Sequence, residues 1–413
     1  MSYFPVKAVS VFLWGRRVGV IAGMQDGKCA FEYDPAFRRS GLEISPIAMP
    51  LSKALYSSDE FEVPRRSLHG LPGVFADSLP DSFGNRLVRK WMESRGIAAG
   101  AITPLDRLSY VGTRGMGALT YEPQIRPDTA EPTVLDMRRL VDESHLALNA
   151  RLDGLSADES LREIIRVGTS AGGAQAKAVV GWSRETDSFL AGDTDLPDGF
   201  EHWILKFSPR MDPDAGEREF SVYTAAKAAG MSMSESRLVE LDGRRHFMTK
   251  RFDREGNRRL HVQTLCALQH LPPGSPRELC SYDVLFDTAE ALGLDYAERE
   301  ELFRRMVFNV YNREMDDHTK NFSFLMTEDG KWHLAPAYDL TGCHFSAGDP
   351  GLDDWQNQHA LSVNGKFSRI GDDDLSAVAE KYAIGTAPKV LARVRDAVRE
   401  LRQFAAPIFR VNS

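Results

Sequence analysis

The pattern of apolar residues changes near residue 253, and that change constrains the fold more than any other feature of the chain. Before it, short apolar runs of strand length alternate with helical stretches. After Arg254 the apolar residues recur mainly at spacings of three and four, which predicts helices at roughly 282–293, 296–314, 373–384 and 387–405. One hairpin interrupts this second half, with strands at 322–326 and 332–334 around a turn at Asp329-Gly330. Two lobes of different character follow from this, one strand-rich and one helical.

The first half resolves further. Residues 8–34 read as a β-meander, with strands at 9–13, 18–21 and 29–33 and a hairpin turn at Asp26-Gly27. A helix is predicted from Asp81, since Phe83, Leu87, Val88, Trp91 and Met92 share one face and Gly96 stops it. Gly112, Gly115 and Gly117 lead into a strand at 118–121, and Pro123, Pro127 and Pro132 mark a boundary. Thr133 caps a helix containing Leu135, Leu140, Val141 and Leu148, and a second helix is predicted near 157–165. A glycine-rich loop at 168–177 comes next, followed by strands at 178–182 and 203–207 and a helix at 217–229. Strands at 237–241 and 246–252 complete this half.

Composition narrows the classes available. The 413 residues are enough for two or three domains and a sizeable core. The chain carries 51 Lys and Arg against 59 Asp and Glu, a net charge of −8, so overall charge does not hold it to nucleic acid. Cys29, Cys266, Cys280 and Cys343 form no CxxC pair and suit neither a zinc site nor a disulfide framework. The N-terminus lacks the features of a signal peptide, and no apolar stretch approaches the roughly 20 residues that span a bilayer. The expectation is a soluble, reduced, cytoplasmic protein with no membrane partner.

Several residue patterns carry chemistry. The loop at 168–177 has the glycines that let backbone N–H groups approach phosphates and ends in Lys177, but it lacks the GK[ST] of a P-loop and reads equally as a strand connection. Lys206 lies in a strand that otherwise reads as buried. It either pairs with an acid such as Glu219, early in the next helix, or sits at the strand end and reaches solvent. Asp316 and Asn321 have the D-x-x-x-x-N spacing of a kinase catalytic loop, in which the carboxylate accepts the hydroxyl proton and the amide oxygen holds Mg²⁺. Asp339, just past the hairpin, stands where a kinase keeps its second metal ligand. A solvated turn is the common role of an aspartate pair such as Asp316 and Asp317. Here the glycine-rich loop, strand lysine, helix glutamate, Asp-x-x-x-x-Asn and late aspartate occur in the order a kinase requires. His318 has no second histidine at ligand spacing, which points to a phosphate-facing or loop-stabilising role, and His333 and His344 are read as structural.

These segments together resemble the HipA family, serine/threonine-kinase toxins of bacterial type II toxin–antitoxin modules. The resemblance rests on Ser170 to Lys177 (SAGGAQAK), Trp203 to Phe207 (WILKF), Lys250 to Arg254 (KRFDR), Asp316 to Ser323 (DDHTKNFS) and Leu334 to Asp339 (LAPAYD). It extends to the start of the chain, with its Val18-Gly19 hairpin and Phe31 to Asp34, and so covers nearly all of it. It implies an α+β, bilobal, protein-kinase-like fold with a small β-rich N-terminal subdomain (1–125), a nucleotide-binding lobe (126–253) and a mainly helical catalytic lobe (254–413). It implies ATP and Mg²⁺ as cofactors, with Asp316 as proton acceptor and Asn321 and Asp339 on the metal. Gly172, Gly173, Ala174, Gln175, Ala176, Lys177 and Lys206 are then expected on the ATP phosphates. Lys250, Arg251 and Phe252 are expected at the adenine hinge, and His318, Thr319, Lys320, Asn321, Tyr338 and Asp339 complete the site. Ser170 matches the serine that family members autophosphorylate, where about two added negative charges repel the phosphate loop from its ligand.

The resemblance also implies partners: a HipB-like helix-turn-helix antitoxin, operator DNA reached mainly through that antitoxin, and a protein substrate such as an aminoacyl-tRNA synthetase whose phosphorylation arrests growth and underlies persistence. The chain departs from the family at Lys250, where Glu is expected, at 261–264, which read His-Val-Gln-Thr, and at Ala176. Arg244, Arg245, Lys250, Arg251, Arg254, Arg258 and Arg259 form a local basic run, read as a solvated face around a hairpin with several ion pairs. Two other readings stay open on these residues: a small-molecule, antibiotic-type phosphotransferase, and a non-catalytic co-repressor.

Overall fold

The structure is a computed structural model that describes residues 5–24, 27–57, 68–80, 82–125, 135, 137, 140, 175–192, 195–341 and 358–404. The helices expected at 133–148 and 157–165, the turn residue Asp26, the loop residues Ser170, Gly172, Gly173 and Ala174, and Cys343 and His344 lie outside the described residues.

Three antiparallel sheets organise what remains. The first is built from β1 (Ala8–Leu13), β2 (Arg16–Gly23), β3 (Cys29–Tyr33), β4 (Tyr56–Ser57) and β5 (Leu119–Glu122), in the order β4-β3-β2-β1-β5. The second contains β6 (Lys177–Ser183), β7 (Ser188–Ala191), β8 (Glu201–Lys206), β9 (Ser236–Leu241) and β10 (Arg244–Lys250), in the order β7-β6-β8-β10-β9. A two-residue ladder, β11 (Arg254–Glu255) with β12 (Arg258–Arg259), leads to the third sheet. That sheet is β13 (His261–Thr264), β14 (Ser323–Met326) and β15 (Trp332–Leu334). The part expected to be helical after Arg254 therefore begins with three short strands. β13 forms because His261 to Thr264 pair with Met326 to Ser323, a partner about sixty residues away that local periodicity does not show.

The helices follow from their caps and apolar faces. Tyr296–Asn312 starts at Asp295 with a reciprocal capping box to Glu298 and buries Leu302, Phe303, Met306 and Val307. Tyr282–Ala291 starts at Ser281, whose hydroxyl accepts from the Val284 amide. Ser82–Ser94 buries Phe83, Leu87, Val88, Trp91 and Met92, the stripe read from the sequence. That stripe packs into one core with Trp182, Trp203 and Phe207 of the second sheet. The first sheet instead shares a core with the C-terminal helices, through residues such as Val11, Phe31, Phe286, Met306 and Val394. The N-terminal segment thus packs against both lobes.

Candidate active site

The second sheet and the helix Ala215–Ala228 place the first charges. β6 and β8 set Lys177 and Lys206 directly opposite one another, and both are buried. Like charges facing across a ladder repel, and buried ammonium groups need acids. Glu219, buried in the helix Ala215–Ala228, supplies one. Lys206 Nζ donates to Glu219 Oε1 at 2.6 Å and to Asp339 Oδ1 at 2.5 Å. The helix reaches this depth because residue 216 is glycine: a Cβ there would lie 2.5 Å from the Arg245 carbonyl oxygen.

These charges settle one another's protonation. Burial pulls the Lys206 pKa down, but the Asp339 and Glu219 carboxylates outweigh it and hold it above the ordinary lysine value. The Lys206 ammonium, joined by Lys177, holds Asp339 well below the usual carboxylate range. Burial raises Glu219, against the pull of Lys206. Asp339 sits at φ 57°, a left-handed conformation that aspartate tolerates better than most residues and that clusters at functional sites.

The loop after the helix Tyr296–Asn312 supplies the rest. Arg313 closes that helix at φ 57°, and the Glu314 amide returns to the Asn309 carbonyl at 2.9 Å. Asn321 Nδ2 donates to the Asp316 carbonyl at 2.7 Å, which leaves the amide Oδ1 as a possible ligand atom. Tyr338 Oη donates to the Lys320 carbonyl at 2.6 Å and lies 2.6 Å from Ser323 Oγ, tying the loop to the segment that carries Asp339. The Asp316 side chain is 61% exposed, with His318 Nε2 at 3.7 Å from its Oδ1.

A cavity of about 600 Å³ collects these groups. Lys177, Lys206, Glu219, Lys250, Arg251, Phe252, Asp316, His318, Lys320, Asn321, Tyr338 and Asp339 all line it. Among the described residues, three expected ligands do not. Ala176 is buried in the core, Gln175 Nε2 donates to the Phe207 carbonyl at 3.1 Å, and the Thr319 hydroxyl donates to the Leu271 carbonyl at 2.6 Å. Their side chains hold the frame of the site. At the end of β10, Lys250 pairs with Glu201, and the amides of Lys250 and Arg251 donate to the Glu235 and His202 carbonyls at 2.8 and 2.9 Å. Phe252 puts an apolar ring on the cavity wall, its centroid 5.6 Å from that of Tyr338.

The basic run at 244–259 has the expected ion pairs, with Arg245 and Arg258 exposed beside Glu217 and Glu255, but it is not a solvated face throughout. Arg251 is buried, with Nε and Nη2 at 2.9 and 2.8 Å from the two oxygens of the fully buried Asp253, and Arg254 Nη1 is at 2.5 Å from Asp253 Oδ2. Asp253 Oδ2 also accepts the Gly117 amide at 2.7 Å, and Arg254 and Arg259 donate to the Gly115 carbonyl at 3.2 and 2.9 Å. The guanidiniums and Asp253 clamp the N-terminal segment to residues 251–259. The reading of 261–264 is sharpened too: His261 and Gln263 bond the Ile44 carbonyl, and the Thr264 amide and hydroxyl donate to Asp77 at 2.8 and 2.9 Å. Through these junctions Asp77, Leu79 and Met116 reach the cavity wall, and no motif in the sequence marks them. Among the described residues no helix is long and apolar enough to cross a membrane.

Comparison with known proteins matches this geometry to a family. A model of the HipA-like C-terminal domain matches residues 169–405, and one of the HipA N-terminal domain matches residues 9–122. A Sinorhizobium fredii protein named "Putative kinase Y4dM" is 24% identical over 420 residues, 94% of this chain and 91% of its own length. The serine/threonine-protein kinase toxin HipA of Shewanella oneidensis is 23% identical over 369 residues, 82% of this chain and 74% of its own. A Shewanella oneidensis HipA solved with HipB and operator DNA superposes over 98% of this chain and 92% of its own, with TM-score 0.67 at 17% identity. The fold is that one: α+β, with the two-lobed architecture of a kinase.

Proposed function

This chain belongs to the HipA family, and from that premise we propose that it is an ATP- and Mg²⁺-dependent serine/threonine protein kinase acting as a cytoplasmic toxin. One observation carries the reading: a single cavity holds the Lys206–Glu219 pair, Asp316, Asn321 and Asp339, drawn from segments up to 133 residues apart. Each has a chemical task in phosphoryl transfer. Asp316, open to the cavity, takes the proton of the attacking hydroxyl. Lys206 and Lys177 supply positive charge for the phosphates. In this structure Lys206 is shared between Glu219 and Asp339, so a polyphosphate entering the cavity competes with Asp339 for the ammonium.

The residues fit a magnesium nucleotide. Asp339 stays ionised beside Lys206, and the Asn321 amide turns its nitrogen to the Asp316 carbonyl, so both offer oxygen, the donor Mg²⁺ prefers. Two protein oxygens together with the phosphates are a ligand set that suits Mg²⁺. When bound, that ion neutralises charge on the transferring group. Phe252 and Tyr338 offer apolar faces for a base.

The finer parts of the proposal follow the family. A HipB-like antitoxin neutralises the toxin and carries most of the operator contact, in keeping with the net charge of −8. The substrate is a translation component such as an aminoacyl-tRNA synthetase, and phosphorylation of Ser170 switches the kinase off. We read the chain as an N-terminal subdomain (1–125), a nucleotide lobe (126–253) and a catalytic lobe (254–413). The test is incubation with γ-labelled ATP and Mg²⁺, followed by phosphoproteomics after brief induction in cells. The expected result is label on Ser170 and on a cellular protein, absent with Asp316→Gln. Equal labelling by pure Asp316→Gln protein would overturn the role of Asp316.

A further inference from the structure

We propose that Asp317 is a positioning residue: its buried carboxylate anchors the catalytic loop so that its neighbour Asp316 stands correctly in the cavity. The proposal rests on the kinase reading of Asp316. The two aspartates differ sharply in surroundings. Asp316 has a 61% exposed side chain, whereas the Asp317 side chain has no exposed surface. A buried carboxylate is costly unless every lone pair finds a donor. Asp317 Oδ2 accepts from Tyr282 Oη at 2.8 Å and lies 2.9 Å from His359 Nδ1, and Oδ1 accepts from the Ala360 amide at 2.7 Å.

These donors come from separate parts of the catalytic lobe. Tyr282 opens the helix Tyr282–Ala291, its hydroxyl receives Asn309 Nδ2 at 3.0 Å, and its amide donates to the Ser362 carbonyl at 2.9 Å. His359 and Ala360 open the described stretch 358–404. One carboxylate therefore joins a helix, the segment at 359–360 and the loop. If this were only core filling, an apolar side chain of similar size would be the cheaper solution. Asp316 and Asp317 are neighbours with opposite exposure, so locking Asp317 inward holds Asp316 outward.

Asp317→Asn, Tyr282→Phe and His359→Gln separate positioning from general support. Three quantities are measured: affinity for a fluorescent ATP analogue, thermal midpoint, and the single-turnover rate of γ-phosphate transfer from labelled ATP with Mg²⁺. Displacement of about 1 Å at a reacting group costs about 10²-fold, so Asp317→Asn should lower the rate by about that factor while nucleotide affinity is retained. Tyr282→Phe and His359→Gln each keep the other donors and should show smaller rate losses, again with affinity retained. Amide exchange at 316–321 should accelerate in Asp317→Asn, a readout that needs no activity. Folded variants that keep the wild-type rate and exchange protection overturn the proposal, as does a rate loss that only tracks affinity and thermal midpoint. If Asp317→Asn fails to fold, the two milder variants decide. Wild-type rate in Asp316→Asn would instead defeat the role given to Asp316 and leave the exchange result to judge the anchor.

Discussion

Asp316, Lys206 and Glu219 show how position decides what a charged residue is for. Because the Asp316 side chain is largely exposed, its removal should not unfold the protein. Asp316→Asn is expected to lower phosphoryl transfer by about 10²- to 10⁴-fold, the range for loss of a general base, with an unchanged thermal midpoint. Lys206 is the opposite case. Lys206→Met strands the buried Glu219, and breaking a buried pair costs roughly 3–5 kcal/mol. Thermal melts should show that loss, and Lys206→Met with Glu219→Leu should recover much of the stability without recovering transfer. A double variant as inactive and as unstable as the single one would refute this account. At this scale the sequence was legible where chemistry and spacing coincide, as at Asp316 and Asn321. It left Lys206 open between two readings, because only burial tells a paired lysine from one that reaches solvent.

At the scale of elements, the helix Ala215–Ala228 is a lever whose depth sets the Lys206–Glu219 contact. Gly216→Ala forces a Cβ against the Arg245 carbonyl. Overpacking of this kind costs about 1–3 kcal/mol, and here it also lifts Glu219 away from Lys206. The expected outcome is a lower denaturation midpoint together with weaker binding of a fluorescent ATP analogue, whereas Gly385→Ala, where an added Cβ meets no atom within 4 Å, should leave that binding unaltered. Strong caps and apolar stripes made most helices readable, as with Asp295 and Glu298 ahead of Leu302 and Met306. β13 was not readable, because its four residues become a strand only by pairing with 323–326.

Across the whole molecule, buried histidines make the junctions sensitive to acid. Burial holds His202, His261 and His270 at about 4, against the ordinary 6.5, with Arg251 adding to the shift at His202. His270 Nε2 accepts the Gly73 amide at 2.9 Å and so must be unprotonated, while His261 Nε2 lies 2.8 Å from the Ile44 carbonyl. Each folded pKa lies below the unfolded one, so between pH 6.5 and 4 the unfolded chain binds protons that the folded chain excludes. Stability is therefore complete above the ordinary histidine value and falls as pH drops through that window, by on the order of 3 kcal/mol per histidine. Urea unfolding across this range should show a steep slope, flattened in His270→Gln. An unchanged slope in that variant would show that His270 does not contribute.

The sequence alone determined the succession of a strand-rich part and a helical part, most helix faces, and the chemical identity and order of the groups that carry the proposed reaction. Those properties are local: they depend on spacing, caps and residue type. Only the tertiary structure decided that Lys206 bridges Glu219 and Asp339, that Arg251 and Arg254 are buried on Asp253, that Asp317 is buried against Tyr282 and His359, and that Asp77 and Met116 reach the cavity. These depend on which distant surfaces meet. Burial turns a charge from a solvated ornament into a group that must be paired, and burial is a property of the packed chain, not of any stretch within it.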